Sequence, residues 1–320
     1  MDFVKNIIGK ELSTFEKKFE DAVRSNTPML DRILRYIIKR KGKQMRPMFV
    51  FLSAKLVGEI NESTYRAAAL VELLHTATLV HDDVVDESME RRGFFSINAI
   101  WKNKIAVLVG DYLLSKGLLL STTNEDFMHL HILSEAVKQM SEGELLQIEK
   151  SRKLNLDEDV YFEIIRNKTA SLLSSACAVG AYSTGKDEQK TEKMKLFGQK
   201  VGIAFQIKDD LFDYGKEDVG KPTGNDIREK KLTLPLIYTL NNIDKNARRK
   251  IIYMLKNENK NKESINFIIE SVIKAGGIKY AETKMNLYRD EALEILYTFD
   301  ASPVRSALEE LVRFTTDRKY

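Results

Sequence analysis

Leu73-Leu74-His75-Thr76-Ala77-Thr78-Leu79-Val80-His81-Asp82-Asp83-Val84-Val85-Asp86 ends a strongly apolar stretch on three aspartates. Residues 62–86 read as one long helix. On a helix, residues four apart share a face about 6 Å along the axis, so Asp82 and Asp86 project together. The same D-D-x-x-D pattern returns at Asp209-Asp210-Leu211-Phe212-Asp213, behind Val201-Gly202-Ile203-Ala204-Phe205-Gln206-Ile207. Two such ridges facing one cavity would crowd at least four carboxylates. Like charges about 4 Å apart repel by several kcal/mol at an effective dielectric near 20. A divalent cation removes that cost. All-oxygen ligation suits magnesium, which keeps several waters and is completed by substrate phosphates. The first reading is a magnesium–diphosphate site between helices.

Helical periodicity extends outward from this stretch in both directions. Val4, Ile7, Ile8, Leu12, Phe15 and Phe19 recur at spacings of three and four, as do Met29, Leu30, Ile33, Leu34, Ile37 and Ile38. Arg46-Pro47 opens a further helix, since proline suits a first turn. A break is expected at Gly93. Helices are then expected over Ala106–Leu120 (buried), His129–Ile148, Asp159–Tyr182, Asp187–Tyr214 and Leu232–Leu240. The last third alternates charged and apolar residues as surface helices do. No strand pattern, Walker loop or G-x-G-x-x-G stands out. Residues 215–226 form the clearest loop, placed after the second motif where a lid would be useful. No linker or composition shift marks a boundary, so residues 1–320 are expected to form one all-α domain.

A hydrophobic fraction of 43% with 31% charged residues describes a globular chain with ample core material. The net charge of +4 gives no electrostatic case for nucleic acid. Cys177 is the single cysteine and cannot form an internal disulfide, which fits a reducing compartment; it reads as a small core residue. No uninterrupted apolar run reaches the roughly 18–20 residues that span a bilayer, and the charged N-terminus has no signal-peptide core. A cytoplasmic location is expected, with peripheral membrane contact left open.

Cations gather around both acidic motifs. Lys43 and Arg46 sit at a helix N-terminus, which favours an anion, although a solvated basic turn would look the same. Arg91 and Arg92 follow Asp86 closely and suit bidentate phosphate contacts; simple pairing with Glu87 and Glu90 is the alternative. Lys168, with no partner acid in its own run, suggests an anion. Lys221 and Lys231 flank the candidate lid. Gln206 lies three residues before Asp209. His75, two turns before Asp82, reads equally as a diphosphate ligand or a satisfied core histidine, whereas His81 points away from the aspartate stripe and reads as structural.

In combination and order, these segments resemble the trans-isoprenyl (polyprenyl) diphosphate synthases. The resemblance runs from Gly42-Lys43-Gln44-Met45-Arg46-Pro47 through the first motif and Arg91-Arg92-Gly93. It continues through Val109-Gly110-Asp111, Gly143-Glu144-Leu145, Lys168-Thr169-Ala170, Gly202 to Asp210, Gly220-Lys221-Pro222 and Gly224-Asn225-Asp226, ending at Leu232-Thr233-Leu234-Pro235. It implies an isoprenoid synthase fold, an antiparallel helical bundle around a deep central cavity. It also implies a homodimer and a long-chain member of octaprenyl or heptaprenyl type. Lys43, Arg46, His75 and Arg92 would hold isopentenyl diphosphate. Asp82, Asp86 and Asp209 would ligate two or three magnesium ions on an allylic diphosphate, with Asp83, Asp210 and Asp213 completing the catalytic motifs. Arg91, Lys168, Thr169, Gln206, Lys221 and Lys231 would contact that diphosphate. Where the family commonly has glycine-lysine, this chain has Lys230-Lys231, and Lys231 is chosen by its distance to Pro235.

The implied reaction is head-to-tail trans elongation, with the released diphosphate as proton acceptor. Short-chain relatives carry a bulky aromatic four or five residues before the first aspartate. Here Thr78 and Ala77 stand there, which favours a long product of quinone side-chain length, with Phe49 or Phe51 as a possible floor. The alternatives are a farnesyl or geranylgeranyl synthase, a non-catalytic subunit of a heteromeric synthase, and a class I terpene cyclase. Cyclases generally carry an N-x-x-x-S-x-x-x-E second motif in place of Asp209 to Asp213. Partner subunits usually lose the aspartates.

Overall fold

The computed structural model describes residues 1–39, 42, 44–91, 93–154, 157–215 and 224–317, with backbone alone at Arg91 and Lys153. The chain divides into two compact units. One comprises Met1–Val137, Ser175–Lys195 and Asp300–Leu308; the other comprises Lys138–Ser174, Leu196–Phe299 and Glu309–Tyr320.

The first unit is organised by α4 (Glu62–Val85), which packs on α1 (Asp2–Val23), α3 (Met45–Val57) and α5 (Ile97–Thr123). The Asn61 side chain starts α4 by accepting from the backbone N–H of Ser63 and Thr64, while Asn61 N donates to the Thr64 hydroxyl. Such a reciprocal cap contributes about 1 kcal/mol. Ala67, Ala68, Leu70, Val71, Leu73 and Ala77 of α4 are buried. Close approach to α5 depends on Gly117, where a Cβ would stand 3.0 Å from Leu70. α2 (Pro28–Ile38) adds Ile33 and Leu34 to the cluster around Leu73, Ala77 and Val80.

Two expectations are corrected in this unit. The break at Gly93 (φ +76°) is the turn of a short antiparallel ribbon, β1 (Glu90–Arg91) with β2 (Phe94–Phe95), so the chain is not wholly without strands. The Ala106–Leu120 segment is helical but buried on one side only. Ala106, Val109 and Leu113 face the core, while Val107, Leu108, Leu118 and Leu119 are 41–62% exposed. Leucine and valine stand on more than one face of the segment, and only one face is buried. By length and composition α5 could also cross a bilayer, with a mean hydropathy of 1.4 and a third of its most apolar window buried. Asp111 and Lys116 interrupt that window.

In the second unit, α7 (Glu158–Ile165) runs into a π-helical turn (Arg166–Ala170) before α8 (Ser171–Gly185). The single helix expected over Asp159–Tyr182 is therefore interrupted at Lys168-Thr169. π turns inside helices frequently mark functional sites. The turn is clamped from two sides, because Gly143 of α6 (Phe127–Lys153) and Gly202 of α9 (Glu188–Phe212) let backbones meet there. A Cβ on Gly143 would lie 2.9 Å from Lys168 N, and one on Gly202 would lie 2.6 Å from Ala170 Cα. Ile203, Ala204 and Ile207 of α9 form one core with α11 (Leu234–Asn242) and α13 (Lys262–Lys274), through residues such as Leu236, Ile237 and Ile268. α10 (Asn225–Arg228), α12 (Lys245–Asn257), α14 (Gly277–Tyr297) and α15 (Pro303–Asp317) complete the series. Pro235 stands in the first turn of α11, where its missing N–H costs nothing. Of the expected lid, residues 216–223 lie outside the described residues. The described chain is all-α apart from the ribbon.

Candidate active site

Both acidic motifs fall where a helix ends. Asp82 and Asp83 occupy the last turn of α4 and Asp86 is its C-cap. Asp209 and Asp210 occupy the last turn of α9, with Asp213 just beyond. A helix C-terminus already carries about half a negative charge. Neither helix places a basic residue in its last turn. Each end therefore concentrates negative potential, which a metal ion relieves.

Within the first unit Asp82 is half-buried and Asp86 exposed, whereas Asp83 turns into the fold at 3% exposure. The turn after the motif is fixed by Asn98, whose Nδ2 donates to the carbonyls of Asp83 and Ser88 at 3.1 Å each. His75 is buried. His81 packs against Gly110, where a Cβ would come within 2.2 Å of its Nε2, and lies 3.4 Å from Asp111. That contact explains the glycine in Val109-Gly110-Asp111. Ala77 is fully enclosed in the cluster with Leu73, Val80 and Leu113. Thr78 is half-buried, its hydroxyl donating to the His75 carbonyl at 2.9 Å. Phe49 and Phe51 are buried, Phe51 edge-on to Phe15 at 5.8 Å. Arg46 stands half-buried in the first turn of α3. Lys43, Arg92 and Lys221 lie outside the described residues, as does the side chain of Arg91.

The second unit holds a cavity of about 200 Å³. Its walls bring together Lys168, Thr169, Gln206, Asp210 and Lys231 from the predicted set, with Tyr161, Gln147 and Asp226 beside them. Lys168 does have a partner acid, contrary to the sequence expectation. Its Nζ pairs with Glu144 and reaches Gln147 Oε1 at 3.4 Å, both from α6. The partner stands on another helix, with the rest of α6 and all of α7 between it and Lys168 in the chain, where local reading cannot see it. The Thr169 hydroxyl donates to Gln206 Oε1 at 2.7 Å, and Gln206 Nε2 donates to Asp210 Oδ1 at 2.8 Å. Asp213 accepts the N–H groups of Asn225 and Asp226 at 2.7 and 3.1 Å, tying the start of α10 to the end of α9. Lys231 lines the cavity and pairs with Glu229, while Lys230 Nζ donates to the Lys256 carbonyl.

Burial pushes the carboxyls of Asp210, Asp213 and Asp226 upward. Neighbouring carboxylates add to the shift, Asp226 acting on Asp210 and Asp213 on Asp226. Crowded, partly desolvated carboxylates of this kind prefer either a proton or a cation. Among the described residues no group of three or more acidic, histidine or cysteine side chains is placed to hold a metal ion by itself. The donor set fits an ion that keeps waters and takes oxygens from a bound diphosphate.

The polyprenyl synthetase family model matches residues 27–272. The chain belongs to that family. Within it, the chain is 33% identical to heptaprenyl diphosphate synthase component 2 of Bacillus subtilis (strain 168), covering 98% of this chain and 90% of that protein. It is also 33% identical to the all-trans-nonaprenyl-diphosphate synthase (geranyl-diphosphate specific) of Rhodobacter capsulatus, over 99% of both chains. Among solved structures it resembles a polyprenyl synthase from Caulobacter crescentus CB15, complexed with calcium and isoprenyl diphosphate. That match has 34% identity and a TM-score of 0.92, covering 100% of this chain and 98% of the other. The expected family and all-α fold class are thereby borne out.

Nothing in the sequence singles out Tyr161, while Glu144 and Asp226 stand there only as parts of motifs; the signal for Asp226 is its place directly after Gly224-Asn225.

Proposed function

We propose that this chain is a magnesium-dependent trans-prenyltransferase. It would add isopentenyl diphosphate to an allylic diphosphate in repeated head-to-tail steps and release a long polyprenyl diphosphate. One observation carries the reading. A single cavity presents Lys168 and Lys231 alongside Asp210 and Asp226, the mixture of cations and carboxylates that a metal-bound diphosphate requires. The names of the relatives support a product of heptaprenyl length or longer.

Asp82, Asp86 and Asp209 would hold two or three magnesium ions, which supply charge neutralisation of the departing diphosphate. Lys168, Lys231 and Lys221, with Arg91, orient that diphosphate and take up charge as the allylic carbon–oxygen bond breaks. Thr169 and Gln206 fix its register. Lys43, Arg46, His75 and Arg92 would hold isopentenyl diphosphate, whose double bond attacks the allylic carbon. Proton loss to the released diphosphate ends each step. Asp83, Asp210 and Asp213 set the motif geometry, two of them by turning inward and one by holding α10.

Residues 1–320 are read as one domain working as a homodimer. The exposed stripe Val107, Leu108, Leu118 and Leu119 on α5 is the surface proposed to pair. Peripheral membrane contact is compatible with the same apolar surface. Buried Cys177, its thiol pushed up to about 12 by burial, is inert and agrees with a cytoplasmic setting.

The test is incubation with labelled isopentenyl diphosphate, geranyl or farnesyl diphosphate and magnesium, followed by chromatography of the chains. A ladder ending at seven or more isoprene units is expected. Absence of any elongated product overturns the assignment, and termination at farnesyl or geranylgeranyl length overturns its long-chain part.

A further inference from the structure

Tyr161 stands on α7, 4% exposed, at the wall of the cavity. Its hydroxyl donates to Asp210 Oδ2 at 2.7 Å. The other oxygen of Asp210 receives Gln206 Nε2, and Gln206 Oε1 in turn receives the Thr169 hydroxyl. These bonds link α7, α9 and the π turn through one chain, Tyr161–Asp210–Gln206–Thr169. Each donor fixes the next acceptor. With Asp210 ionised, and so only an acceptor, the Gln206 amide presents its NH₂ there and its oxygen to Thr169.

Asp210 is 6% exposed and feels repulsion from Asp226 and Asp209. A carboxylate so placed stays in one rotamer only if both oxygens are held. Gln206 holds one from within the same helix. Tyr161 holds the other from a different helix, and so fixes where the end of α9 stands against α7. Without the phenol, the Asp210 carboxylate can swing, Gln206 follows it, and Thr169 loses its partner.

We infer that Tyr161 is a positioning residue for the diphosphate site. It locks Asp210, and through Gln206 it presets Thr169 before the anion arrives. The inference rests on the proposed function and adds to it a residue acting through another. Preset donors and acceptors lower the reorganisation that accompanies reaction. Packing of the ring is a separate matter, since Tyr161 also meets Phe162 edge-on at 5.4 Å.

The experiment uses the full chain with Tyr161→Phe, which keeps the ring and removes the hydroxyl, and Phe162→Leu, which alters packing and leaves the hydrogen bonds. Magnesium-dependent binding of inorganic pyrophosphate is measured by calorimetry, and kcat and both KM values by prenyl transfer. For Tyr161→Phe, pyrophosphate affinity and kcat are expected to fall about 10–100-fold, the range of comparable supporting contacts, with KM for isopentenyl diphosphate unchanged. Phe162→Leu is expected to lower Tm and leave pyrophosphate affinity as it was. A Tyr161→Phe enzyme within twofold of the parent in affinity and kcat overturns the inference. So does a Phe162→Leu enzyme showing the same loss, because packing would then explain both. If Tyr161→Phe does not fold, Asp210→Asn breaks the same chain from its centre, and unchanged pyrophosphate affinity there is equally fatal. Where Tyr161→Phe does fold, the combined variant tests the path: losses that multiply independently exclude action through Asp210. Failure of the parent to elongate any primer would sink the prenyltransferase reading, while the pyrophosphate titrations would still judge Tyr161.

Discussion

At the residue scale, repetition of D-D-x-x-D conceals a division of labour. Asp82, Asp86 and Asp209 remain the proposed metal ligands, whereas Asp83 and Asp210 turn inward and Asp213 accepts backbone N–H groups. Replacing Asp82 or Asp209 by Asn is expected to lower kcat by about 10²–10³-fold, the range for loss of one transition-state electrostatic contact, as read in the prenyl transfer assay. Losing Asp213 is expected to act differently, loosening the start of α10, with a drop in Tm alongside the loss of rate. His129 supplies a pH prediction unconnected with catalysis. It is 3% exposed, and burial pushes it down to about 4 from an ordinary 6.5. Between those values the unfolded chain binds a proton that the folded one refuses, so stability should fall as pH drops from about 6.5 towards 4. The lowered value corresponds to roughly 3 kcal/mol when fully expressed. Tm measured against pH should decline less steeply in His129→Gln than in the parent protein.

At the scale of elements, close approach of backbones governs the site. Gly202→Ala would drive a methyl into Ala170 and push α9 off the π turn that carries Lys168 and Thr169. A loss of about 1–3 kcal/mol in stability is expected from overpacking, measured by denaturant titration, together with weaker pyrophosphate binding. The proposed control of product length lies on α4. Ala77 is sealed within packed side chains, so Ala77→Tyr should first cost stability. Thr78, half-buried, is the more informative site. Thr78→Tyr is expected to shorten the product by one or more isoprene units, since one helical turn of about 5.4 Å is comparable to one unit. Chromatography of the chains decides it, and an unchanged ladder removes residue 78 from any gating role.

At the scale of the whole molecule, chelating magnesium should abolish chain elongation and readdition should restore it, with magnesium plus pyrophosphate raising Tm as ligand linkage requires. Leu108→Glu with Leu119→Glu is expected to yield a monomer in sedimentation, because charges on the proposed apolar pairing surface carry a desolvation penalty. The all-α class, the two acidic motifs and most helix cores were readable from the chain, because 3.6-residue periodicity and i, i+4 spacing are local properties. The one-sided exposure of α5, the π turn at Lys168-Thr169 and the ribbon formed by β1 and β2 were not. Each depends on which neighbour an element meets. Residue chemistry alone marked Lys168 as a cation awaiting an anion; only folding supplied Glu144. The sequence by itself determined which side chains could hold metal and diphosphate. The tertiary structure decided which of them turn inward, and it added Tyr161, because a hydrogen bond between residues 161 and 210 arises only once two helices have packed.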